Sequence, residues 1–366
     1  MFNSRSKHAT FIVYDGIENS VFESQVLYPL LTQLQQNSNL QITLVSFEKK
    51  RPPNEFIIKT IPAHERLHFV LCRRFPFFGN ISLKLATFQF KKLLKITTFN
   101  HITARGPLAG HVVLHALTKY AKKNNFQHAE RLPSVTIQAR GLCAEEYRYS
   151  LKEIHANFFK KMYHKFLYTQ LNNLETTVYR NATKNTIQTN INIEAVSPAL
   201  KNYLTTAFHA HQTKITIATK DLPKSFSADQ ISGWRQEVRT ELNIQQDAIV
   251  YCYSGSFKAW QCAHETIAAF SFEYFRNPKC FMLVLTKDQE PFKKELVRYK
   301  IPATNYHIKT VPAQNLYRYL AAGDYGMLLR EKDIINWVSR PTKMLEYQAV
   351  GLKIIHNNTI GWLANK

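Results

Sequence analysis

At about 150 residues per domain, a chain of 366 residues has room for two domains. Its 45% hydrophobic and 13% aromatic residues are enough for packed cores, which excludes a disordered chain, and only 11 glycines and 14 prolines exclude collagen-like or low-complexity sequence. A formal net charge of +22 predicts attraction to anions, whether nucleic acid, anionic lipid or phosphorylated metabolites, without choosing among them.

The five cysteines are scattered, so neither a disulfide framework nor a zinc cluster is predicted. After a basic start, the apolar stretch Phe11–Tyr14 stops at Asp15 and Gly16, too short for the core of a signal peptide, and no run reaches the length of a membrane span. A soluble cytoplasmic protein is expected, with attachment to the cytoplasmic face of a membrane left open by the charge.

From Thr10 onward, short β-rich runs alternate with longer amphipathic stretches, the pattern of α/β architecture with parallel sheets. The first series of predicted strands is Thr10–Tyr14, Gln41–Ser46, Phe56–Ile61, His101–Ala104, Ser134–Gln138, Ile193–Val196 and Lys214–Ala218. Helices are expected near Val21–Gln36, Ser82–Lys95, Leu108–Lys122, Ala144–Tyr179 and Pro198–Phe208, the first opened by a capping box of Ser20 and Glu23. The polar stretch 221–246 reads as a linker, dividing the chain into domains over residues 1–220 and 247–366. A second series then follows, with strands at Ala248–Tyr253, Cys280–Leu285, Tyr306–Lys309, Tyr325–Leu329 and Leu352–His356. Its helices are expected near Cys262–Phe275, Glu290–Tyr299, Gln314–Ala322 and Pro341–Val350. Two successive doubly wound domains predict a cleft between them, with functional loops at the carboxyl ends of the strands.

The most informative segment is Asp324–His356, where a strand and a polar loop lead to a helix opening at Ser339-Arg340-Pro341-Thr342-Lys343. Pro341 suits the first helical turn, and the free amides there, with Arg340 and Lys343 beside them, suit a phosphate. Glu346, one turn further, can accept hydrogen bonds from sugar hydroxyls. The same spacing also suits a helix that merely packs, with an exposed Glu346 paired to Lys343. A second loop, Tyr251-Cys-Tyr-Ser-Gly-Ser-Phe-Lys258, runs from strand to helix through Gly255 and Ser256, with Lys258 available to phosphate.

Tyr253–Trp260, Leu320–Asp324 and Ser339–Gly351 together resemble, in order, the three donor-domain motifs of the retaining GT-B glycosyltransferases of family four. The resemblance covers residues 247–366 well and the N-terminal half loosely. It implies two Rossmann-like domains, with a shortened C-terminal one because the chain stops soon after its last strand. It also implies retaining, metal-independent transfer of a sugar from a nucleotide diphosphate sugar to an acceptor hydroxyl in glycan or glycolipid biosynthesis, with no cofactor. By resemblance Glu346 binds the ribose, the helix start at residues 339–343 binds the diphosphate, and the loop of Val311 receives the base through its backbone.

Three departures accompany the likeness. Val338 stands where the family often has a further glutamate, for which Glu331 is a candidate substitute. Ser256 replaces an arginine of the Gly-Arg turn, whose phosphate-binding role Arg330 or Lys258 would take. The early C-terminus is the third. In the N-terminal half, loops carrying Gly16, Arg105, and Arg140 with Glu145 and Glu146 lie at predicted strand ends, and by resemblance face donor sugar and acceptor. Arg105 and Arg140 suit substrate placement, and Glu145 or Glu146 hydroxyl contact or proton acceptance; structural salt bridges are the alternative.

Cys72–Gly79, followed by Lys84, Lys91, Lys92 and Lys95, mixes bulky apolar and basic residues, which suits an anionic bilayer and equally a solvated helix face with a buried opposite side. His209 and His211 are too isolated to suggest a metal site. The expected partners are a nucleotide-sugar donor and a glycan or lipid-linked acceptor, with peripheral membrane contact. Two alternatives stand beside sugar transfer: a catalytically inactive glycosyltransferase-like binding protein, suggested by the departures, and a basic polyanion binder. Nucleic acid is not expected, because no nucleic-acid-binding motif accompanies the charge.

Overall fold

The computed structural model describes residues 7–364 apart from 20, 78, 124–131, 152–156, 185–188, 220–224 and 259–260. The chain divides into two compact units, Met1–Asp221 and Leu222–Lys366.

The first unit carries strands β1 (Lys7–Val13), β2 (Leu40–Glu48), β3 (Leu67–Arg73), β4 (His101–Arg105), β5 (Ser134–Ala139), β6 (Ile191–Ala195) and β7 (Ile215–Ile217). Its helices are α1 (Tyr28–Gln36), α2 (Asn54–Thr60), α3 (Asn80–Ile96), α4 (Gly106–Lys123), α5 (Cys143–Ser150), α6 (Phe158–Ala182) and α7 (Pro198–Thr206). The strands form one parallel sheet in the order β3-β2-β1-β4-β5-β6-β7. On one face, Val26, Leu30 and Leu34 cover Phe11, Val13, Ile42 and Leu44. The order reverses between β1 and β4, so the loops after these two strands splay apart and leave a crevice at their carboxyl ends.

The second unit carries α8 (Ala228–Glu241), β8 (Ile249–Ser254), α9 (Ala263–Arg276), β9 (Cys280–Leu285), α10 (Gln289–Arg298), β10 (Tyr306–Lys309), α11 (Leu316–Leu320) and β11 (Tyr325–Leu328). It continues through α12 (Ile334–Val338), α13 (Thr342–Ala349), β12 (Lys353–His356) and α14 (Gly361–Ala364). Its parallel sheet has the order β10-β9-β8-β11-β12, reversing between β8 and β11. Every residue of β9 is buried, because strand alternation feeds two cores. Cys252, Leu283 and Leu328 pack with Leu320 and Met344 on one side; Tyr253, Met282 and Met327 pack with Ile267 and Phe292 on the other.

Three local expectations are corrected, and a fourth falls outside the described residues. Phe56–Ile61 is not a strand: Pro53 caps α2, Glu55 enters its first turn, and the third strand is β3, at the sheet edge. The long helix over Ala144–Tyr179 is two helices, the second restarted by Asn157, whose Oδ1 accepts from Lys160 N at 3.0 Å. The stretch 221–246 contains α8, whose polar outer face reads as linker although Ile231, Trp234 and Val238 join the second core. Ser20 of the capping box lies outside the described residues; Asn19 Oδ1 accepts from Val21 N at 3.1 Å, and the helical region opens with a π-turn, Glu23–Leu27.

Arg239 fastens α8 to the second sheet. Only 1% exposed, it donates from Nε to Ala322 O (3.0 Å), from Nη1 to Gln246 O (2.9 Å) and from Nη2 to Asp324 Oδ2 (2.9 Å). The same Asp324 oxygen accepts from Val250 N at 2.8 Å, so one buried guanidinium ties α8 to the entrances of β8 and β11. Arg239→Met breaks this buried pair and is expected to lower the unfolding free energy by about 3 kcal/mol in urea titration. An unchanged midpoint would show that α8 is not fastened in this way.

Candidate functional site

In the second unit the site begins where β8 ends. Gly255 has φ +132°, and a Cβ there would fall 2.5 Å from Lys343 Nζ, so only glycine lets the ammonium lie against this backbone. Lys343, in the first turn of α13, is 8% exposed. Its Nζ donates to Gln261 Oε1 at 2.6 Å and lies 4.0 Å from the centre of the Tyr253 ring. Gln261 Nε2 donates to Ser256 Oγ at 3.1 Å, and the Tyr253 hydroxyl donates to Ser256 O at 2.9 Å. Tyr347 locks the other side, its hydroxyl accepting from Ser254 N at 3.1 Å and donating to Met327 O at 3.3 Å.

These contacts wall a cavity of about 470 Å³ at the carboxyl ends of the strands. Gly255, Ser256, Val311, Thr342, Lys343 and Glu346 all line it, bringing together three segments far apart in sequence. Gln261, Thr286 and Asp288 also line it and were not anticipated, because neutral or singly placed polar residues carry no motif. Asp288 Oδ2 accepts from Phe257 N at 2.8 Å, and Thr310 Oγ1 donates to Thr286 O at 2.7 Å, which fixes the neighbouring loops.

Burial, helped by the nearby Arg330, holds the Lys343 ammonium well below its ordinary range, while Glu346 opposes the shift. Burial also raises the Glu346 carboxyl, and Lys343 partly restores its charge. The hydrogen-bond acceptor of Lys343 is a neutral amide, so neither the exposed Glu346 nor the Lys343 pairing of a merely packed helix is found. The first turn of α13 has no side-chain cap; Met344 N closes back on Pro341 O at 3.1 Å, which leaves the Thr342 and Lys343 amides ahead of it.

Five expected residues stand outside this lining. Arg340 stacks on Trp362 at 5.6 Å, Ser339 Oγ donates to Asn336 O at 2.8 Å, and Pro341 is the buried residue preceding α13. Lys258 is exposed. Arg330 lies beside Lys343 and Tyr253 without reaching the cavity wall. Val338 is fully buried in α12, and Glu331 offers its backbone carbonyl to Asn336 Nδ2 at 2.9 Å.

In the first unit, a cavity of about 350 Å³ lies at the reversal between β1 and β4, lined among others by Arg74, Arg105, Arg140 and Glu146. Arg105 Nη2 donates to Gln25 Oε1 at 2.6 Å, and Arg140 Nη2 stands 4.0 Å from Glu194 Oε1. Arg74, read from sequence as part of a bilayer-facing segment, instead turns inward, donating from Nη1 to Tyr14 O at 2.5 Å. Burial and the neighbouring Asp15 raise the Glu146 carboxyl.

Glu145 does not reach this cavity. Its carboxylate accepts from the Tyr168 hydroxyl at 2.7 Å and pairs with Arg148 at 2.5 Å, a structural role. Gly16 also stands off the lining; its φ of +84° turns the loop, and a Cβ would collide with the Glu48 carboxylate that accepts from Ile17 N at 2.8 Å. The start of α5 is held by Glu175 on α6, whose carboxylate accepts from Cys143 N (3.0 Å) and Ala144 N (3.2 Å).

No protein-family model matches the chain, and no curated protein matches its sequence. Solved structures do match its fold. A glycosyltransferase from Rickettsia africae ESF-5 is 11% identical with a TM-score of 0.62, covering 98% of this chain and 81% of its own. Sucrose-phosphate synthase from Thermosynechococcus elongatus is 12% identical with a TM-score of 0.61, covering 98% of this chain and 83% of its own. The lipopolysaccharide outer core galactosyltransferase WaaB is 11% identical with a TM-score of 0.59, covering 98% and 82%. Likenesses at this identity concern fold, and the chain has the two Rossmann-like domains of the GT-B fold.

Glu175 provides a test of the first-unit site's support. Fully buried, its carboxyl is pushed up to about 8 by burial, against the opposing pull of the two amides. The folded chain thus keeps a proton that the unfolded chain releases near 4.5, so stability falls as pH rises from 4.5 towards 8. Glu175→Gln is expected to remove most of this slope in a Tm-versus-pH series. Parallel curves for the two proteins would contradict the assignment.

Proposed function

We propose that the chain is a glycosyltransferase that takes a sugar from a nucleotide diphosphate sugar and passes it to an acceptor hydroxyl with retention of configuration. The observation that carries this reading is the convergence of Gly255, Ser256, Val311, Thr342, Lys343 and Glu346 on one cavity around a buried ammonium. A buried ammonium that Arg330 further disfavours, and whose hydrogen-bond acceptor is a neutral amide, favours an anion that would restore its charge, and a diphosphate supplies one. The GT-B fold shared with the galactosyltransferase WaaB supports the same reading.

In this proposal the Lys343 side chain and the backbone amides of Thr342 and Lys343 receive the diphosphate, Glu346 accepts from the ribose hydroxyls, and the Val311 loop meets the base. Arg330 adds positive potential behind Lys343. As the glycosidic bond breaks, negative charge grows on the departing diphosphate, and prearranged cations and amides stabilise it without a metal or a covalent nucleophile. Arg74, Arg105 and Arg140 in the first unit position the acceptor, and Glu146 contacts its hydroxyl. The acceptor class is a glycan or a lipid-linked sugar.

Calorimetric titration with UDP, GDP, ADP and CMP tests the donor site. One nucleotide is expected to bind, and Glu346→Ala to raise its Kd by about 10- to 100-fold, the loss of a charged hydrogen-bond acceptor. Lys343→Met should weaken the diphosphates but not CMP to a similar degree. Binding unaffected by either substitution, or absent for the whole panel, would overturn the proposed site. Binding without turnover of the matching nucleotide sugar would support the binding-only alternative, which Val338 and Ser256 favour.

A further inference from the structure

Two neighbouring helices of the first unit expose large apolar side chains that no part of the described structure covers. On α3, Leu83, Ala86, Phe90 and Leu94 are buried, while Ile81 (69% exposed), Leu85 (46%) and Phe88 (56%) lie outward at helical spacing. On α6, the first two turns rest on α5 through His164, whose Nδ1 lies 2.7 Å from the Tyr147 hydroxyl, and present their other side chains outward: Phe158 and Phe159 are 72% and 74% exposed, and Met162, Tyr163 and Phe166 follow at 57%, 44% and 52%. Burial on this helix begins only at Leu167.

The two stretches adjoin. A Cβ on Gly79, which precedes α3, would lie 3.1 Å from Gln170 Oε1, one turn beyond Phe166, and α4 packs against both helices. Scattered exposed apolar residues are ordinary, but a patch of this extent marks an interaction surface.

Charge identifies the occupant. Neither α3 nor residues 158–174 contain an aspartate or glutamate. Lys84, Lys92 and Lys95 on α3 and Lys160, Lys161 and Lys165 on α6 are all exposed beside the apolar groups. Lys92 Nζ lies 4.7 Å from the Phe88 ring centre, so cation and aromatic present together. A nucleic acid would satisfy the lysines and leave the phenylalanines in water. An anionic bilayer takes both, rings among the acyl chains and ammonium groups at the phosphates. No described helix is long and apolar enough to cross a membrane, so such an attachment is peripheral.

We infer that the outer face of α3 and the exposed face of the start of α6 form a docking surface for an anionic lipid bilayer. Of the stretch suggested by sequence, Lys84, Lys92 and Lys95 belong to this face, and Phe78 lies outside the described residues. The lipid-facing groups are on the helices, whereas Phe75 and Phe77 of the preceding loop are only half-exposed. The inference stands whether or not the second unit binds a nucleotide sugar.

The test is co-sedimentation of the full chain with phosphatidylcholine vesicles with and without phosphatidylglycerol. Binding to the anionic vesicles is expected, weak on pure phosphatidylcholine. Replacing Lys84, Lys92 and Lys95 by Gln should cost about fivefold per lysine. Replacing Phe158, Phe159 and Phe166 by Ser should cost at least about tenfold. All six side chains are exposed, so the variants are expected to keep the wild-type Tm. As a charge control, Lys293, Lys294 and Lys300 of the second unit are replaced by Gln, which should leave binding near wild type. Equal loss in that control, an unaffected serine variant, or no vesicle binding at all would overturn the inference. So would a dimer in solution that the serine variant dissolves, because a second copy would then cover the face.

Discussion

A buried ammonium is the constraint around which the second unit's site is arranged. Lys343 can occupy its place only because Gly255 has no side chain, because Gln261 offers a carbonyl oxygen, and because the Tyr253 ring presents its π-face. Each of these residues is fixed in turn: Gln261 to Ser256, Tyr253 to the same loop, and the end of β8 to Tyr347. Burying a cation costs free energy that packing elsewhere in the domain must offset, and functional sites are where such costs are commonly retained. The two cores on either side of β8 and β9 supply that packing.

The first unit arranges charge differently. Its arginines are partnered by a glutamine, a backbone carbonyl and a glutamate, and one carboxyl among them, Glu146, is raised by burial. Its cavity therefore combines fixed cations with a carboxyl that burial and Asp15 raise. The second unit's cavity has one deeply buried cation and a half-buried glutamate in its lining. That contrast fits the separate tasks proposed for them, holding a variable acceptor in one and a diphosphate in the other.

Much of the fold was legible because short β-rich runs, continuously apolar in β9 and alternating in β4, β5 and β6, are separated by longer amphipathic stretches. Cys280–Leu285 and Tyr306–Lys309 appear in the structure with the boundaries expected. Phe56–Ile61 misled because three apolar residues in a row suit a strand, while the Pro53-Asn54-Glu55 start that makes α2 is a signal of a different kind. In the site, the glycine turn and the helix start could be found because both are backbone requirements that restrict residue type. Which neighbouring glutamate faces a cavity could not: Glu145 and Glu146 differ by 100° around one helix turn, and the partners Arg148 and Tyr168 that claim Glu145 are visible only after α6 packs on α5. Gln261 was missed for want of charge, and Arg74 because its neighbours are aromatic.

Titration of the buried Lys343 amine tests most directly the proposal that it receives a diphosphate. Lysine-selective 15N NMR, assigned with Lys343→Met, follows its amine in the free protein and with the bound nucleotide. The structure predicts a pKa well below the ordinary 10.5 in the free protein, rising when a nucleoside diphosphate is added. An ordinary value that no nucleotide moves would contradict it.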